Sequence, residues 1–304
     1  MRHYLVLCIV LWITGLFGLS WDAATALYPD NMLQTWIATP YRYSIFPATP
    51  TRAATRTPTP TRTPTPTRTP TPTRTPTPTA TSASAPGAPV TVRFYSASGD
   101  GRVANTSMSF GCSQAAWTTT HNATSGAANY TSAVTANTIG SGCTAANRVD
   151  ISRGFLIFNT TSLPDNATIS QATLYLFVTG TAYAANDSNA YIGVVQGLQT
   201  YTTSLVAADY IKAGNATTNP VEGSNRQDIS KIATASYIPW NLNQTGLTWI
   251  SRTGYTKLAL REGHDIANQW PGYLTNSGNY ITVYLSEQPG AFQDPYLEVI
   301  YTAP

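Results

Sequence analysis

His264-Asp265 is the first place in this chain where neighbouring residue types invite chemistry. A histidine beside a carboxylate supplies two members of a Ser-His-Asp set, and Glu262 adds an acid two residues earlier. No Gly-x-Ser-x-Gly turn accompanies them to present a nucleophile. Glycoside hydrolysis needs two carboxyls at a defined separation. The 12 acids from Ala88 onward are scattered, so chance pairs are expected among them. Glu262 and Asp265 are the nearest approach, and they read as a loop following a strand. The chain is therefore expected to be non-catalytic.

Binding is the better use for these residues. Sugars offer apolar C–H faces that stack on exposed rings, while polar groups fix their orientation. Tyr237, Trp240, Trp270 and Tyr273 fall in turn-rich segments beside Arg261, Asp265, Asn241, Asn268 and Gln269. The expected ligand site is Tyr237, Trp240, Arg261, Asp265, Trp270 and Tyr273, facing a polysaccharide or glycan surface. The competing reading makes each ring a lid over one end of a sandwich. Trp117 and Tyr130 lie in a polar insert, whereas Trp249 falls in an apolar run and reads as core. No Cys/His spacing suits zinc, and no cofactor is expected. Asp100, Asn186, Asp187, Asp228 and Asp265 sit in turns with oxygens suitable for a structural calcium, but ordinary Asx turns are the preferred reading of them.

Cysteine and charge place the chain. Cys8 lies in an apolar leader, leaving Cys112 and Cys143 in the remainder. In the oxidising compartment that export implies, Cys112 and Cys143 are expected to form a disulfide; the alternative, two buried free thiols, suits poorly a region so rich in Gly, Ser, Thr and Asn. Charged residues make up 10% of the chain, against about 25% in ordinary soluble domains. The net charge of +3 is misleading, because from Ala88 onward there are 10 Lys+Arg and 12 Asp+Glu, or 10 − 12 = −2. A nucleic-acid partner calls for a basic face on the folded part, which this balance argues against.

The N-terminal third reads as export and spacing. Arg2 and His3 precede an apolar run of 16 residues, Tyr4 to Leu19, and Ala24-Thr25-Ala26 offers a small-x-small cleavage site. Residues 1–26 are read as a signal peptide, or as a membrane anchor if uncleaved; only then is a membrane a partner. Residues 27–47 carry Trp36, Tyr41, Tyr43, Ile45 and Phe46, too few for a core; they read as a membrane-proximal strand, as a strand for docking or self-association, or as disordered chain. Residues 48–87 are a Thr/Pro/Arg linker built on Thr-Arg-Thr-Pro-Thr-Pro. Proline removes the amide donor and fixes φ, which leaves polyproline II. About 30 such residues reach about 90 Å.

From residue 88 to 304 the pattern becomes short extended runs. Val90–Tyr95, Gly154–Phe158, Ala172–Val178, Tyr191–Val195, Lys257–Leu260, Tyr280–Leu285 and Tyr296–Tyr301 are rich in β-branched and aromatic residues and bounded by Gly, Asn, Asp and Pro. The best helix candidate is short, around Thr245 to Arg252. The fold class expected is all-β: a jelly-roll-like antiparallel β-sandwich behind a signal peptide and a disordered Thr/Pro-rich stalk.

Arg153-Gly154-Phe155-Leu156-Ile157-Phe158-Asn159, Ser162-Leu163-Pro164, Ala167-Thr168-Ile169 and Ala172-Thr173-Leu174 together resemble the DNRLRE-type (disaggregatase-related) repeat domain. Asp100-Gly101-Arg102-Val103 is similar to the opening of that domain, and Asp294-Pro295-Tyr296-Leu297-Glu298-Val299-Ile300-Tyr301 to its last strand. The insert from Asn105 to Arg148, which holds both cysteines, lies outside that pattern. The resemblance implies a jelly-roll sandwich in a secreted or cell-surface protein. Some members are non-catalytic polysaccharide-binding modules and others belong to surface structures. The expected function is thus extracellular carbohydrate binding or adhesion. The alternatives are a structural subunit of an extracellular filament or surface layer and, third, a secreted polysaccharide-active enzyme.

Overall fold

A computed structural model describes residues 87–130, 136–286, 289 and 292–303. The leader, residues 27–47 and nearly all of the Thr/Pro linker lie outside them. In chain order the strands are β1 (Pro89–Tyr95), β2 (Gly101–Thr106), β3 (Ala127–Asn129), β4 (Ala136–Cys143), β5 (Val149–Asn159), β6 (Thr168–Tyr183), β7 (Tyr191–Gln196), β8 (Gln227–Asp228), β9 (Ser236–Asn241), β10 (Tyr255–Glu262), β11 (Ser277–Tyr284) and β12 (Tyr296–Thr302). Among the described residues three short α-helices join them, α1 (Gln114–His121), α2 (Gln244–Leu247) and α3 (Gly263–Ala267), with 3₁₀ turns at Ala207–Lys212 and Ile229–Lys231. The all-β expectation holds, and every apolar run named above lies within or against one of these strands.

The strands form one antiparallel sheet in the order β1-β12-β6-β11-β4-β5-β10-β7-β8, with β9 on β6, β2 on β5 and β3 on β2. The sheet curls into two layers. Leu174, Leu176, Ile281, Val283, Leu297 and Val299 from one half pack with Leu156, Phe158, Ile192, Val194, Leu258 and Leu260 from the other. Period-two alternation drives this, because successive strand side chains point to opposite faces. On β6, Ala172, Leu174, Leu176 and Val178 are all at 0% exposure. One extra residue, Thr179, bulges β6 where Thr282 pairs with Gly180 and Val283 with Val178.

Strands β5, β7 and β10 are buried on both faces. Their second face, with Phe155, Val195 and Ala259, lies in another apolar cluster with Trp117, Tyr210, Leu205 and Tyr273. Helix α1 supplies Trp117 and was not foreseen. Its buried stripe is Ala116, Trp117, Thr120 and His121, at helical spacing but only half apolar. Three consecutive threonines are poor helix formers, and each bonds the carbonyl four residues back. Ser113 caps the first turn by accepting from the Ala116 amide. The disulfide reading holds: Cys112 and Cys143 are bonded, fastening the start of this insert to the end of β4.

Candidate functional site

Most of the expected sugar site is interior. The Trp240 indole is at 0% exposure in the main core and donates to Ile192 O at 3.1 Å. A ring enclosed on both faces has no surface to stack on a ligand, so Trp240 is a core residue. Arg261 and Asp265 are corrected likewise, both lying at 0% exposure. Arg261 stands on β10 on the same face as Ala259, and Arg153 on β5 on the same face as Phe155. Arg153 reaches Asp265 Oδ1 at 2.7 Å and Arg261 reaches Oδ2 at 2.6 Å. Backbone carbonyls take the remaining donors: Tyr210 O from Arg153, and Thr217 O and Asp265 O from Arg261. Tyr210 lies under Arg153 at 4.1 Å. Burial would raise the Asp265 carboxyl, but the two guanidiniums hold it well below the usual range. This cluster ties β5, β10, α3 and the segment around Thr217 together beneath α1. Tyr273 is also buried, with its hydroxyl 3.1 Å from Ser141 Oγ. Trp270 is half-buried against Trp117 and Tyr273, which is the lid reading.

Both ring nitrogens of His264 are taken by carboxylates. Its Nδ1 bonds Glu262 Oε1 at 2.6 Å and its Nε2 bonds Asp187 Oδ2 at 3.2 Å. Ser141 donates to Glu262 at 2.7 Å instead of to the histidine. Burial opposes charge on His264, yet Glu262 and then Asp187 hold its pKa above the ordinary value. With both ring nitrogens bonded to carboxylates, His264 is a structural clasp with no nitrogen turned to a hydroxyl that it could activate. Among the described residues no three His, Cys, Asp or Glu side chains are placed to hold a metal. Of the calcium candidates, Asp187 and Asp228 accept backbone amides two residues on, as Asx turns do.

The face opposite the core carries a different set. On β11, Ile281 and Val283 point inward, so Tyr280, Thr282 and Tyr284 point outward. Directly opposed residues of antiparallel neighbours share a face. Tyr95, Tyr296 and Tyr175 stand in one row across β1, β12 and β6, and Phe177 stands opposite Tyr237 across β6 and β9. Their rings are in contact. Tyr296 lies 5.8 Å from Tyr95, 4.6 Å from Tyr175 and 5.1 Å from Tyr237. Phe177 lies 5.4 Å from Tyr237 and 5.7 Å from Tyr284. Arg93, paired with Glu298 at 2.7 Å, covers Tyr296. The Tyr237 hydroxyl is directed at the carbonyls of Phe292 and Asp294, and burial pushes its pKa up to about 12. Tyr237 is thus the one expected site residue that belongs to an outer aromatic face.

The same face continues past Tyr284 into small residues. Tyr280, Gly140 and Ser152 form one row across β11, β4 and β5, and Gly278, Gly142 and Asp150 form the next. A groove of about 190 Å³ runs here, lined by Thr138, Gly140, Asp150, Ser152, Ser277 and Tyr280 among others. Its floor requires glycine: Gly140 has φ of 149°, and a Cβ there would sit 2.1 Å from Asn279 O. Burial raises the Asp150 carboxyl, against a bond from Thr106 Oγ1 and the charge of Arg102.

No protein-family model and no curated protein matches this chain. The outer rings nevertheless left a sequence signal. Tyr175 and Phe177 alternate with Leu174 and Leu176, and Tyr280 and Tyr284 with Ile281 and Val283. Aromatics on the off-phase of a period-two strand face away from the core.

Proposed function

We propose that this protein is a non-catalytic, secreted or cell-surface module that binds a polysaccharide across the outer aromatic face. The observation that carries the reading is the set Tyr95, Tyr175, Tyr237, Phe177 and Tyr284 on the solvent side of the sheet, connected through Tyr296, which is itself buried among them and serves as their support. Such a surface suits the apolar faces of pyranose rings, and Arg93 and Glu298 at its border suit their hydroxyls. The resemblance to DNRLRE-type domains points the same way. The disulfide is compatible with an extracellular protein. Among the described residues no helix is long and apolar enough to cross a membrane. A non-catalytic role is supported by the bonding of His264, Ser141 and Glu262 to one another.

A glycan array probed with the full chain tests this. Retention of at least one polysaccharide class, weakened about fivefold by Tyr95→Ala, is the expected outcome, since one lost aromatic contact is worth about 1 kcal/mol. No retained glycan at millimolar concentration would dismiss the reading. The structural-subunit alternative is favoured by one feature: among the described residues β1 ends the strand order, an edge that another strand could extend. Polymers that vanish on deletion of residues 27–47 would support that alternative.

A further inference from the structure

We infer that the folded domain is itself N-glycosylated at Asn122, Asn159, Asn166, Asn186 and Asn215, and that three further acceptor motifs stay bare. The inference rests on the export half of the reading above, because this modification belongs to chains that leave the cytosol.

Asn-x-Ser/Thr, with x other than Pro, is the acceptor motif for such a glycan. It occurs eight times in the chain. In a sequence so rich in Thr and Asn the motif alone decides little, but the structure sorts the eight. The sugar is attached to the side-chain nitrogen, so an acceptor needs an exposed amide whose nitrogen is uncommitted. Asn122, Asn159, Asn166, Asn186 and Asn215 are all exposed. Among the described residues their Nδ2 groups donate no hydrogen bond; where their side chains bond at all, it is through Oδ1.

The other three are committed. Asn105 on β2 and Asn129 on β3 are half-buried. Asn105 Nδ2 donates to Ser125 O at 2.8 Å, and Asn129 Nδ2 to Asn137 Oδ1 at 3.3 Å. Asn243 Nδ2 donates to Glu222 O at 3.0 Å, while its Oδ1 caps α2 by accepting from the Gly246 amide at 3.0 Å. Two buried asparagines, Asn137 and Asn279, carry no motif.

Asn159 shows how the motif prepares its own amide. The Thr161 amide and hydroxyl both donate to Asn159 Oδ1, at 3.3 and 2.7 Å. Donors on that oxygen draw electron density from Nδ2 and ease the loss of its proton. The co-reactant is a lipid-pyrophosphate-linked oligosaccharide and its transferase. Nδ2 bonds the anomeric carbon, the bond from that carbon to the pyrophosphate oxygen breaks with its electron pair, and the amide proton passes to the transferase.

The five acceptors also share a placement. Asn122 follows α1, Asn159 ends β5, and Asn166, Asn186 and Asn215 lie in the connections after β5, β6 and β7. The strands that carry the outer rings, β1, β6, β9, β11 and β12, start none of the eight motifs. Bulky, solubilising glycans on the joining segments leave those strands without one.

Glycopeptide mass spectrometry of the full chain, taken from outside the cells that naturally make it, tests this. The expected result is sugar mass on Asn122, Asn159, Asn166, Asn186 and Asn215, and none on Asn105, Asn129 or Asn243. Thr161→Ala is expected to abolish the glycan on Asn159 and Thr161→Ser to keep it, with the other four unchanged in both variants. An exported chain bare at all five positions overturns the inference while the export reading stands. Equal occupancy at Asn105, Asn129 and Asn243 overturns the sorting by exposure and bonding. A chain found only inside cells with its leader intact overturns the export reading and this inference together.

Discussion

Asp265 lies between two guanidiniums, all three groups sealed from solvent. A buried ion pair is weak evidence for stability as a whole, yet removing one member leaves an uncompensated charge. Asp265→Asn is therefore expected to destabilise by about 3–5 kcal/mol, read as a fall in the urea midpoint, with no specific effect on glycan binding in the protein that remains folded. Loss of binding at unchanged stability would return Asp265 to the site. His264 gives a pH dependence with a defined sign. Its pKa is raised by folding, so its stabilisation is complete below about pH 6.5 and is lost as pH rises through the folded value. Asp265 acts in the opposite sense: its pKa is lowered, so its contribution is present above about pH 4 and is lost as pH falls through the folded value. Melting temperature is expected to decline on the alkaline side of about pH 6.5, and His264→Gln is expected to flatten that limb. An equally steep limb in the variant would remove His264 as its source.

At the level of elements, the Cys112–Cys143 bond closes a loop with a sequence separation of 31. In the chain-entropy model such a loop contributes about 3–4 kcal/mol. Reduction is expected to lower the melting temperature, and an unchanged melting temperature would remove the bond as a source of stability. The strands and the bond were legible because Val, Ile, Leu and aromatic residues alternate between Gly and Asn turns, and because only two cysteines remain beyond the leader. Helix α1 was not, since only Ala116 and Trp117 of its buried stripe are apolar and Thr120 and His121 complete it. Arg261 and Asp265 were misplaced for a related reason. Following the apolar run of β10, charged residues read as the start of a surface turn, whereas their burial depends on Arg153, more than a hundred positions away.

For the whole molecule, the curled sheet hides one face and presents the other. What the sequence could not reveal was which strands would be neighbours. Tyr95, Tyr175 and Tyr296 are widely separated along the chain and meet only through the order β1-β12-β6. The same ordering brings Gly140, Gly142 and Asp150 beside Tyr280, at the far end of the same surface. The aromatics divide by face: Trp240 and Tyr273 are buried and hold the fold, while the outer rings are the surface proposed to meet a glycan. Trp240→Phe is expected to lower stability and leave affinity unchanged.

Affinity electrophoresis of the Tyr175→Ala/Phe177→Ala double variant, run well below its melting temperature through a gel containing a polysaccharide that retards the wild type, tests that division most directly. Mobility restored close to that in a sugar-free gel is the result this account predicts. Retardation equal to that of the wild type would contradict it.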